Sequence, residues 1–352
     1  AQFGKNLYFA FKCYVHDKSE ISARIQRRDQ VDDSDDAIAV LLDTYNDKRT
    51  SLLFIVNPLS TLSDAKVTDD GKNMDFNWDM EWEAKAIQTP YGWSVEMVLP
   101  FSSMQFAPKA KVWGINFSRV IRANQETTWW SEVTENFRIS QGGILQGVNP
   151  KGRKKSGLSL FPYGTLRYED SDITGEHNKV KADAGVDLRY NIGSNLIANL
   201  TYNPDFATVE GDKEQINLTP WELRFPDKRL FFQDGNEMFS TRINTFYSRR
   251  IGDMRYGGKF IGKAGKYQFN GLFAKTKEIR DENNPEPGAW HNALRIRRDI
   301  LNSSSIGLTY ADKIWDGEYV RSLSLDYILN LGKTWKFTGQ FVGSAPGDFA
   351  SH

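Results

Sequence analysis

Apolar and polar residues alternate along much of this chain, most clearly in residues 181–202, KADAGVDLRYNIGSNLIANLTY. Val186, Leu188 and Tyr190 alternate with Asp187 and Arg189; after a short turn, Leu196, Ala198, Leu200 and Tyr202 alternate with Ile197, Asn199 and Thr201. A period of two predicts a hairpin with one apolar face and one mostly polar face. The pattern returns downstream and predicts strands over 158–168, 181–190, 196–203, 255–262, 267–275, 292–300, 305–312, 319–329 and 335–343. The clearest faces are Tyr267, Phe269, Gly271 and Phe273 against Gln268 and Asn270, and Leu323, Leu325, Tyr327 and Leu329 against Ser324 and Asp326. Trp335, Phe337 and Phe341 stand likewise against Lys336, Thr338 and Gln340.

These lengths are close to the roughly 9–11 residues with which a tilted strand crosses a bilayer. Aromatics collect near the strand ends, and short turns (191–195, 263–266, 301–304, 330–334) take turns with longer loops, among them 204–254 and 276–291. Outer-membrane barrels have short periplasmic turns, long external loops and aromatic girdles. The first strand leads into a longer loop, so it starts on the short-turn side, and the N-terminal part is expected in the periplasm. Nine strands is an odd number, and an open edge in lipid leaves backbone groups unpaired. A barrel incomplete in this chain is therefore expected, with more strands after residue 352.

The first half reads differently. Leu7, Phe9, Phe11, Cys13 and Val15 share one side of LYFAFKCYV, and short strands follow over 37–43, 51–56, 82–88, 93–99 and 112–119. Turn-rich pieces, TYNDKRT, VTDDGKN, TPYG and APKAK, separate them. This spacing predicts a sandwich of two antiparallel sheets, with Trp93 and Trp113 in phase with the apolar faces and so in the core. QGVNPKGRKKSG has no apolar period and marks the boundary. The expectation is thus an all-β chain: an N-terminal β-sandwich over 1–147, a linker over 148–157, and antiparallel up-and-down transmembrane β-barrel strands over 158–352.

Charge removes one class of partner. Lys and Arg number 45 and Asp and Glu 45, so there is no electrostatic case for nucleic-acid binding. No run of 18 apolar residues supplies a membrane helix, which leaves a barrel untouched. The single cysteine, Cys13, allows no internal disulfide and is expected as a buried thiol. The chain begins at Ala1 and is read as processed or as part of a longer one.

Two stretches carry a resemblance. The order LYFAFKCYV, DDSDDAIAVLLDTYNDKRTSLLFIVNP, YGWSVEMVLPFSSM and WGINFSRV resembles the family 9 carbohydrate-binding module found at the N-terminus of a class of bacterial outer-membrane proteins. That resemblance implies further strands ahead of Leu7. NPDFATVEGDKEQINLTPWELRFPDKRLFFQDGNEMF, followed by FYSRRIG, resembles the signature of the barrel family called domain of unknown function 5916, which commonly follows that module. Together they imply a Gram-negative outer-membrane protein that binds or handles glycans at the envelope or passes a solute. Its partners would be outer-membrane lipid, a glycan and other envelope proteins. A non-catalytic scaffold within a larger assembly is the second reading, and a glycan hydrolase the third.

Sugar modules stack a pyranose on an aromatic face while planar polar groups take the hydroxyls. Trp129 and Trp130 in ETTWWSE, with Trp78 and Trp82, are the stacking candidates; Asn77, Asn116, Arg119 and Glu132 are the polar ones. Asp33, Asp35 and Asp36 are candidate ligands of a structural calcium, although their spacing fits no EF-hand loop and a solvated strand entrance is expected. No other cofactor is implied. In 204–254, Pro204, Pro220 and Pro226 forbid a continuous strand, while Phe206, Trp221, Phe225, Phe231 and Phe232 need burial. This loop is expected to fold inward and constrict the lumen, with Arg224, Arg229, Arg249 and Arg250 pairing Asp205, Glu210, Glu222 and Asp227. Glu83, Glu96 and Glu132 are unremarkable among so many carboxylates, GxSxG, HExxH and CxxC are absent, and the four histidines are scattered. Catalysis is not expected.

Overall fold

The computed structural model describes residues 1–29, 31, 34–76, 78–107, 110–131, 137–150, 157–171, 176–193, 195–206, 223–225, 227–279, 287–301, 303–331 and 335–348. The N-terminal part holds β1 (Gln2–Phe3), β2 (Asn6–Tyr14), β3 (Ala37–Asp43), β4 (Ser51–Val56), β5 (Leu62–Thr68), β6 (Asn73–Asp75), β7 (Glu83–Thr89), β8 (Gly92–Pro100), β9 (Val112–Ile121), β10 (Glu126–Trp129) and β11 (Gly143–Gln146). One antiparallel sheet has the order β1-β2-β8-β7, and the other β10-β9-β3-β4-β5-β6 with β11 also on β9.

Between the two sheets lies a core of Leu7, Cys13, Val40, Leu42, Phe54, Trp93, Val95, Met97, Leu99, Phe101 and Trp113, all essentially out of solvent. Burial pushes the Cys13 thiol up to about 11, so it is an inert packing group. The outer side of the larger sheet is also covered: Ala39, Leu41, Leu53, Ala65 and Val67 form a second cluster with Ile139, Trp129 and Phe137. This explains why AIAVLLD in β3 is a continuous apolar run that is buried throughout. The predicted strand over 82–88 is displaced by one residue, because Trp82 turns into the core just before β7 begins. β5 was not foreseen: LSDAKVT carries Ser63, Asp64 and Thr68, polar yet buried in that strand.

The second part is one nine-stranded antiparallel meander: β12 (Gly157–Ser171), β13 (Glu176–Ile192), β14 (Leu196–Tyr202), β15 (Met254–Ala264), β16 (Tyr267–Thr276), β17 (Trp290–Ile300), β18 (Ser304–Trp315), β19 (Glu318–Leu331) and β20 (Trp335–Asp348). Every expected strand is present, mostly longer than its apolar pattern. The sheet is open, with β12 and β20 as its edges, so no closed barrel is formed among the described residues. The β18–β19 connection is only Asp316 and Gly317, both at positive φ (47° and 84°), as a tight two-residue hairpin turn requires.

The two faces of this sheet meet different surroundings. Register places Phe269, Ile296, Leu308, Leu325 and Phe341 in one row, and Gly271, Leu294, Tyr310, Leu323 and Gly343 in the next. Leu294, Leu308, Leu325 and Phe341 stay substantially exposed. Gln268, Asn270, Arg295, Arg297, Thr309 and Ser324, on the opposite face, are buried. The apolar face is bare and the polar face is covered.

Candidate functional site

The covered polar face gathers most of the buried charge in the second part, and two layers lie on it. The first is the segment between β14 and β15. Its short helix α1 (Leu230–Gln233) and a 3-10 turn at Asn236–Phe239 put Phe231, Phe232, Met238 and Phe239 against the sheet. Phe231 and Phe232 pack with Ile251, Met254, Leu272 and Ala274. A helix of one turn leaves its carbonyls without intrahelical partners. The sheet supplies donors: Lys259 Nζ reaches the carbonyls of Phe231 and, at 2.8 Å, of Asp234; Asn270 Nδ2 donates to Gly235 O (2.8 Å) and Arg295 Nε to Met238 O (3.1 Å). Gln340 on β20 brackets Ile243 through both its backbone groups, and Arg189 on β13 pairs with Asp234 at 3.3 Å. The segment thus spans the sheet from β13 to β20.

Gly235 fixes how closely this segment can approach. Its φ is +76°, and a Cβ there would fall 2.8 Å from Asn270 Nδ2 and 2.9 Å from Ile261 Cδ1. Gly235→Ala is expected to lower stability by about 1–3 kcal/mol, because backbone strain and overlap act together. A thermal or denaturant midpoint, with faster proteolysis within 227–253, checks this.

The second layer is the sandwich itself, which docks through its β3–β4 and β5–β6 turns at the short-turn end of the sheet. Asp43 holds the first turn by accepting the N–H groups of Tyr45, Asp47 and Lys48, where Asn46 and Lys48 take positive φ. That turn presents Asp47 to Lys263, whose Nζ also lies 2.9 Å from Asp299. Arg49, 1% exposed, pairs with Asp299 and approaches Gln268. The second turn presents Asp69 to Arg297 (2.8 Å), which also donates to Gln268 Oε1 at 2.7 and 3.1 Å. Lys66 on β5 meets Glu237 of the covering segment at 2.5 Å.

Burial alone would raise the carboxyls of Asp47 and Asp69, but Lys263 with Arg49, and Arg297 with Arg49, outweigh it and hold both below the usual range. Depressed carboxylates contribute stability that is complete above the ordinary value of about 4 and is lost as pH falls through the depressed one. The sandwich is therefore expected to stay docked from neutral pH down to about 4 and to loosen only in stronger acid, as followed by protease release of the sandwich.

Within the segment, Arg229 pairs Asp227 through two contacts (2.9 and 2.6 Å), donates to the carbonyls of Ile251 and Ser248, and lies over the rings of Phe206 and Phe232. Arg224 lies over Tyr247 and Arg249 over Phe225. Arg249, Arg250 and Asp205 are also engaged; Glu210, Glu222 and Trp221 lie outside the described residues.

The sugar-site candidates are dispersed. Trp82 is 3% exposed and its Nε1 donates to Asp64 (3.0 Å), so it offers no face to a ligand; this corrects the expectation. Trp78 packs edge-on against Phe54, and Trp129 against Phe137. Asn116 is wholly buried; its Oδ1 accepts Ser131 N and Phe117 N, so it positions the strand end rather than a hydroxyl, a second correction. Arg119 straps the two sheets through Tyr14 O. Trp130 alone keeps an open face: 61% exposed, it lies on the Gly143 backbone, where a Cβ would come within 2.3 Å of its ring. Asn77 and Glu132 lie outside the described residues.

The described calcium candidates already have protein partners. Asp36 accepts Ser22 N and Arg122 N, and Asp35 accepts Asn57 and Gln26 side-chain amides, so both carboxylates tie loops together; Asp33 lies outside the described residues. Among the described residues, the carboxylate trio with ligand-like spacing is Asp29, Asp64 and Asp79. Arg28 already fills it, at 2.7 Å from Asp64, 2.9 Å from Asp79 and 3.8 Å from Asp29. A guanidinium there supplies the positive charge that a metal would.

Sequence reasoning missed Asp47, Arg49, Lys66 and Asp69. Their only signal was the count of cations on the polar face, Lys259, Lys263, Arg295 and Arg297, which call for buried anions from elsewhere. Neither a curated protein nor a solved structure matches the chain. One family model does: residues 156–296, from the first strand of the nine-stranded sheet through the covering segment to β17, match the family described as Domain of unknown function (DUF5916).

Proposed function

We propose that this chain is part of an outer-membrane β-barrel protein whose N-terminal sandwich lies on the periplasmic side and whose role is to bind or pass a glycan or related solute at the envelope. The observation that carries this reading is the inverted sheet. A water-soluble antiparallel sheet hides its apolar face and wets its polar one; here Leu294, Ile296, Leu308, Leu323, Leu325 and Phe341 are exposed while Arg295 and Arg297 are buried. An apolar band of this extent calls for a nonpolar partner. Its upper border is a polar row, Asn292, Asp312 and Arg321, beside the aromatic rim of Tyr256, Trp290 and Tyr319. From Asp312 to Ser304 the strand runs about 26 Å at 3.3 Å per residue, before tilt. Tilted by the usual 35–45°, these nine residues rise about 20 Å, at the short end of the roughly 9–11 residues of a membrane-crossing strand. In lipid the edges β12 and β20 must be paired.

Flotation tests the membrane part: the full-length protein should rise with lipid vesicles and resist carbonate, whereas a detergent-free, water-soluble monomer would overturn it. The glycan part rests on Trp130. Calorimetric titration with envelope oligosaccharides should show binding that Trp130→Ala weakens about tenfold, the order of a lost stacking contact; absence of any binding removes the glycan and leaves the barrel.

A further inference from the structure

We propose that the N-terminal sandwich is the stopper of the polar channel, seated by its two charged turns, so that the conduit is closed until the sandwich is unseated. The inference rests on the barrel reading above and goes beyond it, because a periplasmic module could equally hang free of the lumen.

Three observations carry it. Among the described residues the docking groups of the sheet sit at one end: Lys263, Gln268, Arg297 and Asp299 flank the short turns and receive Asp47, Arg49 and Asp69. The contact is desolvated, with Arg49 and Asp47 side chains at 1% and 4% exposure and Arg297 at 5%, as a seal needs. The opposite end, which carries the connections after β14 and β16, holds clefts of about 330 and 680 Å³ that share Asp253 and Lys277, while clefts of about 100 and 410 Å³ lie where the sandwich meets the sheet and the covering segment. A solute entering at the long loops reaches the segment around α1 and then the sandwich. The lock is built on ion pairs, which charge reversal can break, beside a cleft where Trp78 and Met104 of the sandwich face Leu196, Ile197 and Ile261 of the sheet. Lys66–Glu237 adds a contact between the sandwich and the covering segment, which is itself anchored to the sheet through Lys259, Asn270 and Arg295.

Conductance of the full-length protein in planar bilayers tests this. The unsubstituted protein should insert and remain closed. Asp69→Arg, which sets a cation against Arg297, should raise open probability at least about tenfold, equivalent to about 1.4 kcal/mol of docking. Asp69→Arg with Arg297→Asp should close it again, which a merely misfolded sandwich would not do; the emission of the buried Trp93 and Trp113 reports that the sandwich stays folded. A channel that is open without substitution overturns the stopper and leaves the barrel standing. Persistent closure in Asp69→Arg, with the sandwich released to protease, overturns it as well. Failure to insert at all overturns the membrane reading and the stopper with it.

Discussion

Arg295→Met is expected to destabilise the second part by about 3–5 kcal/mol, the cost of removing one partner from a buried ion pair. Arg295 is 2% exposed on the polar face. It holds Asp326 through two contacts, one of 2.9 Å, bonds Thr309 Oγ1 at 3.0 Å, and caps Met238 O of the covering segment. Gly307 makes the arrangement possible, since a Cβ there would fall 2.4 Å from the guanidinium. Methionine fills much of the volume but leaves the Asp326 carboxylate without a cation and the Met238 carbonyl without a donor. Adding Asp326→Leu should recover most of the loss, because an apolar pair of similar size removes the unpaired charge. Denaturant midpoints of the two single variants and the double variant give the coupling; a near-neutral Arg295→Met would mean that water reaches this face.

Leu308→Arg is expected to cost about 2–4 kcal/mol in a bilayer, the price of a cation near mid-depth on the lipid side of a barrel. The same change in a water-facing position would fall within about 0.5 kcal/mol. Leu308 is 41% exposed, lies between Ile296 and Leu325 in register, and sits about halfway between the Asp312 border and the turn at Ser304. The adjacent Thr309 points the other way and is 1% exposed. Folding equilibria into vesicles therefore separate the two solvents directly. A loss of several kcal/mol identifies lipid, and no change identifies water.

The nine-stranded sheet was legible because its signal is local. A period of two survives in every strand from β12 to β20, and Gly and Asn mark the turns; only the lengths were short, since β13 and β20 run on through polar residues. The sandwich was legible to the extent that Trp93 and Trp113 kept phase with their strands. What stayed hidden depends on contacts far apart in sequence. TYNDKRT and VTDDGKN look like solvated turns, and nothing local distinguishes Asp47 and Asp69 from any exposed aspartate; their partners Lys263 and Arg297 lie more than two hundred residues away. Trp82 and Asn116 misled for the opposite reason. An aromatic and an amide near strand ends fit a sugar platform, yet Asp64 and the Ser131 amide had prior claim on them. Asp35 and Asp36 looked like calcium ligands because acidic runs do, but backbone amides hold both oxygens of Asp36 and side-chain amides hold one oxygen of Asp35.

The solvent of the apolar face can be read residue by residue. Single nitroxide labels at 305, 306, 308, 309, 310 and 311, in the full-length protein in vesicles, report collision with oxygen, which concentrates in lipid, and with a water-soluble nickel chelate; Gly307 is left unlabelled because a Cβ there meets Arg295. Oxygen access should peak at 306, 308 and 310 and fall at 305, 309 and 311, while the chelate reaches neither set. Strong chelate access at 306, 308 and 310 would contradict the membrane assignment.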